Sequence, residues 1–412
     1  MKKSLIALAA LAATGAFAQS TVTLYGLADI AYGAQKTTGQ AGRSIKSSGV
    51  QDGANAGSRI GFRGTEDLGG GLTAQFVIEQ GIAPTNYELF GTRAAAAGHQ
   101  VDGFSAGGSA AALGGTAGSY SNGTSRQAYL GLSNKGMGTL RVGYQYTNLY
   151  ELSSLSGFVL GSEGIPGADK GHLHGQTVAG GTRANAITYI SPAFSGVTVQ
   201  LQTGAGSAGR DTYEASAINP ASQLSVDKNQ RTSFMAKYTA GPLSAAVALT
   251  NNKVTQSARA AGTQTISAYG VISAASSAAT TNAATRTGKL TQVAASYDFG
   301  VAKVALTVND GENGGTTTST QVSSMTGYNL SVNAPFGALV PFASMGKAKT
   351  KNDTTGVVTE DYDMTQFGAR YSLSKRTTAY VMVGTTKNDA PAAVASGFTK
   401  DTKTLVGVAH SF

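Results

Sequence analysis

Short segments in which apolar and polar residues alternate recur along the whole chain, joined in turn by tight turns and by long polar stretches. In an extended chain successive side chains point to opposite faces, so a period of two marks strands and excludes helices. Thr21–Tyr32 sets Val22, Leu24, Ala28 and Ile30 against Thr21, Thr23 and Asp29. Leu72, Ala74, Phe76 and Ile78 alternate with Thr73, Gln75, Val77 and Glu79. In the terminal segment Val406, Val408 and Phe412 share one face and Gly407, Ala409 and Ser411 the other, with Leu405 and His410 as exceptions. Tight turns are read at Glu66–Gly70, Asn134–Gly138, Ser191–Gly196, Gly241–Pro242, Asp298–Gly300, Ala334–Gly337 and Ser374–Arg376, where Gly, Pro, Asn and Asp supply the turn conformations. Long connections are read at Gln35–Ser58, Gly81–Ser125, Asn148–Thr182, Gly204–Arg231, Val254–Lys289, Asp310–Gly327, Ala348–Tyr362 and Asn388–Asp401. About sixteen strands, with short turns at one rim and long loops at the other, give the expected fold class: an all-β transmembrane antiparallel barrel with periplasmic turns and extracellular loops.

The start of the chain points the same way. Lys2 and Lys3, the apolar run Ser4–Ala13 and the small-residue site Ala16-Phe17-Ala18 before Gln19 are read as an export signal. The expected layout is a signal peptide over 1–18 and one barrel over 19–412. No later stretch reaches the ~18 apolar residues of a membrane helix, so a membrane protein of this sequence must be a closed barrel. Closure also leaves no exposed sheet edge.

Composition narrows the choice further. Charged residues are 13% of the chain, against about 25% in ordinary globular proteins, while glycine reaches 55. That balance suits a large closed β-structure or a low-complexity adhesin, and the absence of a fixed repeat argues against a solenoid adhesin. The tracts Ala94–Tyr120 and Ala258–Thr287 are read as extensions of surface loops. With no cysteine there are no disulfides or thiolate metal sites. The net charge of +9 is spread over singly scattered lysines and arginines, without the basic stripe and stacking aromatics that nucleic acid requires. His172 and His174 near Asp169 lie in a glycine-rich segment and are read as loop residues, not metal ligands; His99 and His410 have no nucleophile assigned to them. Neither an enzyme nor a cofactor is expected.

Six motifs in order, Ser20–Asp29 (STVTLYGLAD), Ser58–Leu72 (SRIGFRGTEDLGGGL), Ser125–Ser133 (SRQAYLGLS), Ile187–Gly196 (ITYISPAFSG), Tyr371–Thr377 (YSLSKRT) and Val406–Phe412 (VGVAHSF), resemble the general porins of Gram-negative bacteria, particularly those of β-proteobacteria. The resemblance implies a sixteen-stranded outer-membrane barrel, usually a homotrimer embedded in outer-membrane lipid, that passes ions and small hydrophilic solutes by diffusion. It also implies that Phe412 is the terminal aromatic recognised by the outer-membrane barrel assembly machinery. Small outward-facing Gly26 and Ala28 are expected to let barrels pack closely.

Arg59, Gly61 and Arg63 share one face of their strand and Ile60 and Phe62 the other, so Arg59 and Arg63 are expected to point into the lumen. The resemblance places wall arginines of the constriction at Arg59, Arg126 and Arg183, although alternation puts Arg126 on the face of Leu130 and Leu132. Family porins often carry arginine after the glycine of the strand leading to the third loop; here Gly143 is followed by Tyr144, which lowers the expected positive charge. By resemblance, loop 148–182 folds into the barrel and brings Glu151, Glu163 and Asp169 opposite the arginines. One charge acts on an ion ~5 Å away in water with roughly 0.8 kcal/mol, less under salt, so such a site biases ions several-fold and excludes none. The expected function is a passive channel of weak anion preference. The alternatives are a substrate-specific outer-membrane channel and a surface barrel that serves as adhesin or receptor.

Overall fold

The computed structural model describes residues 21–39, 42–52, 55–82, 84–85, 125–155, 182–206, 228–256, 284–314, 322–390 and 398–412. The signal peptide over 1–18, the tract Ala94–Tyr120 and most of Ala258–Thr287 lie outside them. Among the described residues seventeen strands form one antiparallel sheet. They are β1 (Thr21–Gly39), β2 (Ser44–Asp52), β3 (Arg59–Gly69), β4 (Leu72–Gly81), β5 (Ser125–Asn134), β6 (Gly138–Tyr146), β7 (Arg183–Ile190), β8 (Val197–Gly206) and β9 (Lys228–Ala240). The series continues with β10 (Leu243–Gln256), β11 (Ala284–Asp298), β12 (Lys303–Asn313), β13 (Ser323–Asn333), β14 (Leu339–Asn352), β15 (Val358–Ser372), β16 (Thr377–Asn388) and β17 (Phe398–Ser411). A single described helix, α1 (Asn148–Leu155), follows β6.

From β3 onward each strand pairs with the next in sequence, β2 and β3 both pair with β1, and β17 returns to pair with β1, from Leu27↔Ser411 to Gly39↔Phe398. The barrel is closed. Seventeen strands make sixteen wall positions because β2 and β3 share one: β2 pairs with Ile30–Thr38 of β1, and β3 pairs with Thr21–Leu27 below it.

Burial is inverted relative to a water-soluble fold. Val22, Leu24, Phe62, Ile78, Leu130 and Val408 are exposed on the outer face, whereas Thr188, Gln200, Gln292, Asn309, Gln366 and Thr386 are buried on the inner one. Apolar out and polar in, residue by residue, fits lipid outside and water inside. Among the described residues no helix is long and apolar enough to cross a membrane. At the short rim the β3–β4 turn holds Gly69, Gly70 and Gly71 at φ of 80°, 61° and 79°, a run that side chains with a Cβ avoid.

Several expected loops are shorter than alternation suggested. Gln35–Ser58 is not an open loop: β1 continues to Gly39 and β2 folds back onto it. Likewise β14 and β15 extend to Asn352 and from Val358, and β12 and β13 to Asn313 and from Ser323. Polar threonines, lysines and asparagines continue the ladder where both faces meet water, so the apolar alternation fades before the hydrogen bonding does. Gly26 is also reassigned. Phe412 exchanges both backbone hydrogen bonds with Gly26 at 3.1 Å, and its ring occupies the space where a Cβ on Gly26 would sit. The small residue receives the chain's own terminus and is not left open to a neighbouring barrel.

Candidate pore constriction

The inner wall of β3 to β6 carries a cluster centred on Glu79 of β4, a residue whose importance the sequence did not signal. Its carboxylate accepts from Arg126 Nε at 2.7 Å and from the Tyr25 hydroxyl at 2.9 Å, and lies 3.9 Å from Arg59 Nη1. Arg126 also donates to the Tyr146 hydroxyl at 2.9 Å, and the Arg183 guanidinium sits 5.2 Å from the centre of the Tyr146 ring. The three arginines implied by resemblance, Arg59, Arg126 and Arg183, thus come together around one carboxylate and one tyrosine. Arg63 also faces inward but lies 5.3 Å over the Tyr25 ring, four residues or ~13 Å along the strand from Arg59 and outside the cluster.

Local backbone irregularities aim these side chains. Gln80 pairs with Ser125 but Glu79 pairs with Gln127, so Arg126 is the extra residue of a bulge. The bulge turns Arg126 off the outer face of Leu130 and Leu132 and buries it to 1% exposure. This resolves the conflict in the alternation. In β6, Leu140 and Val142 face outward, yet Tyr146, of the same parity, bonds the inner wall. Between them Gly143 has φ 135°, and a Cβ there would collide with the Ala128 carbonyl. Glycine therefore lets β6 change sides. Arg59 is set by a third device. Wall pairing stops at Asp52 and resumes at Arg59, and the buried Asp29 carboxylate grips the described part of this detour, accepting from the Asn55 and Ala56 amides at 2.7 Å. The Tyr380 hydroxyl donates to Asp29 at 2.5 Å, Ser58 Oγ accepts from the Asp29 amide at 2.9 Å, and Arg59 Nε donates to the Gly57 carbonyl at 2.9 Å.

Opposite this wall, α1 lies inside the barrel. Leu152 packs with Met235, Ala246, Ala248 and Ala294 on the inner faces of β9, β10 and β11. The Thr147 hydroxyl caps the helix by accepting from the Tyr150 amide at 3.3 Å. Tyr150 stacks on Tyr146 at 4.4 Å, and Gln200 donates to Asn148 at 2.7 Å. The start of the expected loop 148–182 therefore folds inward, and Glu151 with it. The other two acids proposed for that loop, Glu163 and Asp169, lie outside the described residues. Glu151 stands 4.0 Å from Arg141 Nη1. Burial pushes its carboxyl above the usual carboxylate range, with Arg141 pulling the other way. The absence of arginine at Tyr144 is thus offset by Arg141 three residues earlier on the strand, and Arg231 on β9 adds a further cation bonded to Gln202 at 3.2 Å. Among the described residues, arginines on this part of the wall outnumber Glu79 and Glu151.

A closed barrel with a polar inner face, an inward helix and an arginine-lined wall defines a transmembrane β-barrel pore. The family model for Gram-negative porins matches residues 4–391, and the chain belongs to that family of outer-membrane proteins. An outer membrane porin protein of Bordetella pertussis is 27% identical over the full length of both chains. Outer membrane porin protein 32 of Delftia acidovorans is 52% identical over 82 residues, covering 19% of this chain and 22% of that protein. The solved anion-selective porin from Comamonas acidovorans superposes with a TM-score of 0.62 at 21% identity, covering 96% of this chain and 100% of that one, a likeness of fold.

Proposed function

We propose that the mature chain, 19–412 after removal of 1–18, forms a passive diffusion channel for ions and small hydrophilic solutes in the outer membrane, with a mild preference for anions. The observation that carries this reading is the gathering of Arg59, Arg126 and Arg183 on one wall, with Arg141 and Arg231 beside them, against the two carboxylates Glu79 and Glu151. Glu79 is engaged by Arg126, which leaves the local balance positive. The anion selectivity named for the Comamonas acidovorans porin of similar fold supports the sign. Arg63 contributes from below the cluster, and Glu163 and Asp169 belong to the same loop as Glu151. A related barrel from Vibrio cholerae is described in a trimer form, which supports a homotrimer here. Phe412, sealed against Gly26, is the residue on which insertion by the barrel assembly machinery depends.

The test is the zero-current potential of purified, refolded channels across a tenfold salt gradient. Wild type is expected to pass anions several-fold better than cations. Arg59→Gln should reduce that ratio a few-fold and Arg59→Glu more, in line with well under ~1 kcal/mol per screened charge. Cation preference in the wild type refutes the sign; no conductance at all favours an adhesin, and solute-dependent saturable block favours a specific channel.

A further inference from the structure

The wall across the barrel from the arginine cluster carries cations of its own beside the short rim. On β12, Ala305 and Thr307 are buried on the inner face, so Lys303, two residues before Ala305, faces the lumen as well. Buried Ser331 sets the same parity for Asn333 on β13, and buried Gln366 sets it for Arg370 on β15. Lys303 begins its strand, Asn333 ends its own, and Arg370 lies two residues before the end of β15 at Ser372. All three therefore stand in the periplasmic mouth, apart from the cluster around Glu79.

A packing device brings two of these cations together. Gly368 on β15 leaves room for the Phe342 ring of β14, since a Cβ there would lie 2.7 Å from Phe342 Cζ. The Arg370 side chain lies across that ring, with its guanidinium 5.4 Å from the ring centre. Arg370 Nη2 thereby reaches β13 and donates to Asn333 Oδ1 at 2.8 Å. Lys303 stands directly opposite Asn333 in the β12–β13 register, which sets their Cβ atoms about 5 Å apart. An arginine and a lysine thus flank one asparagine. Among the described residues neither forms an ion pair, and the buried Arg370 Nε has no hydrogen-bond partner. Asp298, across from Lys303 on β11, turns Oδ1 to the Gly300 amide at 2.8 Å. Two like charges held close repel, and an anion seated between them relieves that repulsion.

We propose that Lys303, Asn333 and Arg370 form a binding site at the periplasmic mouth for a phosphate group, either free or carried by a small solute. The planar fork of Arg370 offers parallel N–H donors that match two oxygens of one phosphate, and Lys303 adds a mobile point charge. Two cations also match a phosphate, which carries about −1.5 to −2 at neutral pH. Chloride is spherical and singly charged, so it gains nothing from the fork. The Phe342 ring holds the guanidinium in place before the anion arrives, which reduces the side-chain freedom lost on binding. The site rests on the reading of the barrel as an anion-preferring channel, because solutes that pass the arginine cluster leave past Lys303 and Arg370.

The experiment titrates the purified, refolded barrel, in neutral detergent at low salt, with inorganic phosphate, a hexose monophosphate or chloride, and follows binding by calorimetry. Binding of both phosphates supports a site for the phosphate group, and binding of inorganic phosphate alone supports a site for the free ion. Lys303→Gln should weaken phosphate binding about fivefold and Arg370→Gln about tenfold, while Lys303→Arg should retain it. Lys303→Gln leaves the Phe342 packing untouched, so it decides the matter if the Arg370 variant fails to fold. Full phosphate binding by Lys303→Gln, or equal affinity of the wild type for chloride, overturns the proposal. Loss of phosphate binding in Arg59→Gln but not in Lys303→Gln also overturns it, and moves the site to the constriction. Absent phosphate binding with chloride conductance intact overturns this site alone, whereas absent conductance with phosphate binding intact overturns the channel reading alone.

Discussion

The two halves of the wall are built to different standards. From β10 to β14 the ladder runs without a shift, as in the unbroken pairing from Leu243↔Tyr297 to Gln256↔Ala284, and inner and outer residues alternate strictly. From β1 to β6 the same ladder is interrupted by the detour between Asp52 and Arg59, the bulge at Arg126 and the positive-φ Gly143. The regular half is a container. The irregular half gives up pairing and ideal geometry, and the bulge and Gly143 deliver to the lumen two side chains, Arg126 and Tyr146, that strict alternation would have sent into lipid.

The sharpest way to break this contrast is to remove Glu79. Its loss removes the carboxylate 2.7 Å from the nearly fully buried Arg126, and breaking a buried ion pair in this manner costs about 3–5 kcal/mol. Glu79→Ala should lower the temperature at which the heat-modifiable barrel unfolds by far more than Ser344→Ala on the inner wall of β14, which should cost about 1 kcal/mol or less. Similar shifts for the two would place the cluster on a par with ordinary wall contacts. Gly143→Ala is next in size. It forces a Cβ into the Ala128 carbonyl at a backbone angle alanine avoids, with an expected cost of about 1–3 kcal/mol and a reduced yield of folded barrel. Normal yield and melting would show that β6 changes sides without needing glycine.

The smallest effect is in pH. Because burial raises the Glu151 carboxyl, it gains its proton at a higher pH than a solvent carboxylate, while the arginines around it stay charged. Acidification through the range in which Glu151 takes up its proton therefore removes negative charge from the lumen, and anion preference should rise by roughly two- to threefold. Glu151→Gln should fix the zero-current potential at its low-pH value across that range. Lys347→Gln, on the lipid side of the regular half, should move nothing, since its charge lies outside the pore.

What could be read from the sequence follows the same division. Strand positions, turns, closure and the inward direction of Arg59 and Arg63 all follow from a period of two, because burial on one face and lipid on the other enforce it. Arg126 was placed on the wrong face by that rule, since a bulge changes parity without leaving a mark in composition. Glu79 looked like one polar residue among several of its strand, and its role depends on Tyr25 and Arg126, far apart in sequence. Gly143, between Val142 and Tyr144, is the one sign in the sequence of the backbone switch in β6. Beyond the bilayer, hairpins such as β1–β2 carry no apolar stripe, and periodicity has nothing to register there.

The shared wall position of β2 and β3 separates two kinds of change. The pairing of β3 with Thr21–Leu27 fixes the pore arginine, while among the described strands β2 pairs only with the outer half of β1, and the detour gripped by Asp29 absorbs any mismatch between them. Residues inserted in or deleted from the β1–β2 hairpin need not slip the register of the strand that carries Arg59. The cell-facing surface can thus diversify under pressure from whatever touches it, while conduction is inherited intact.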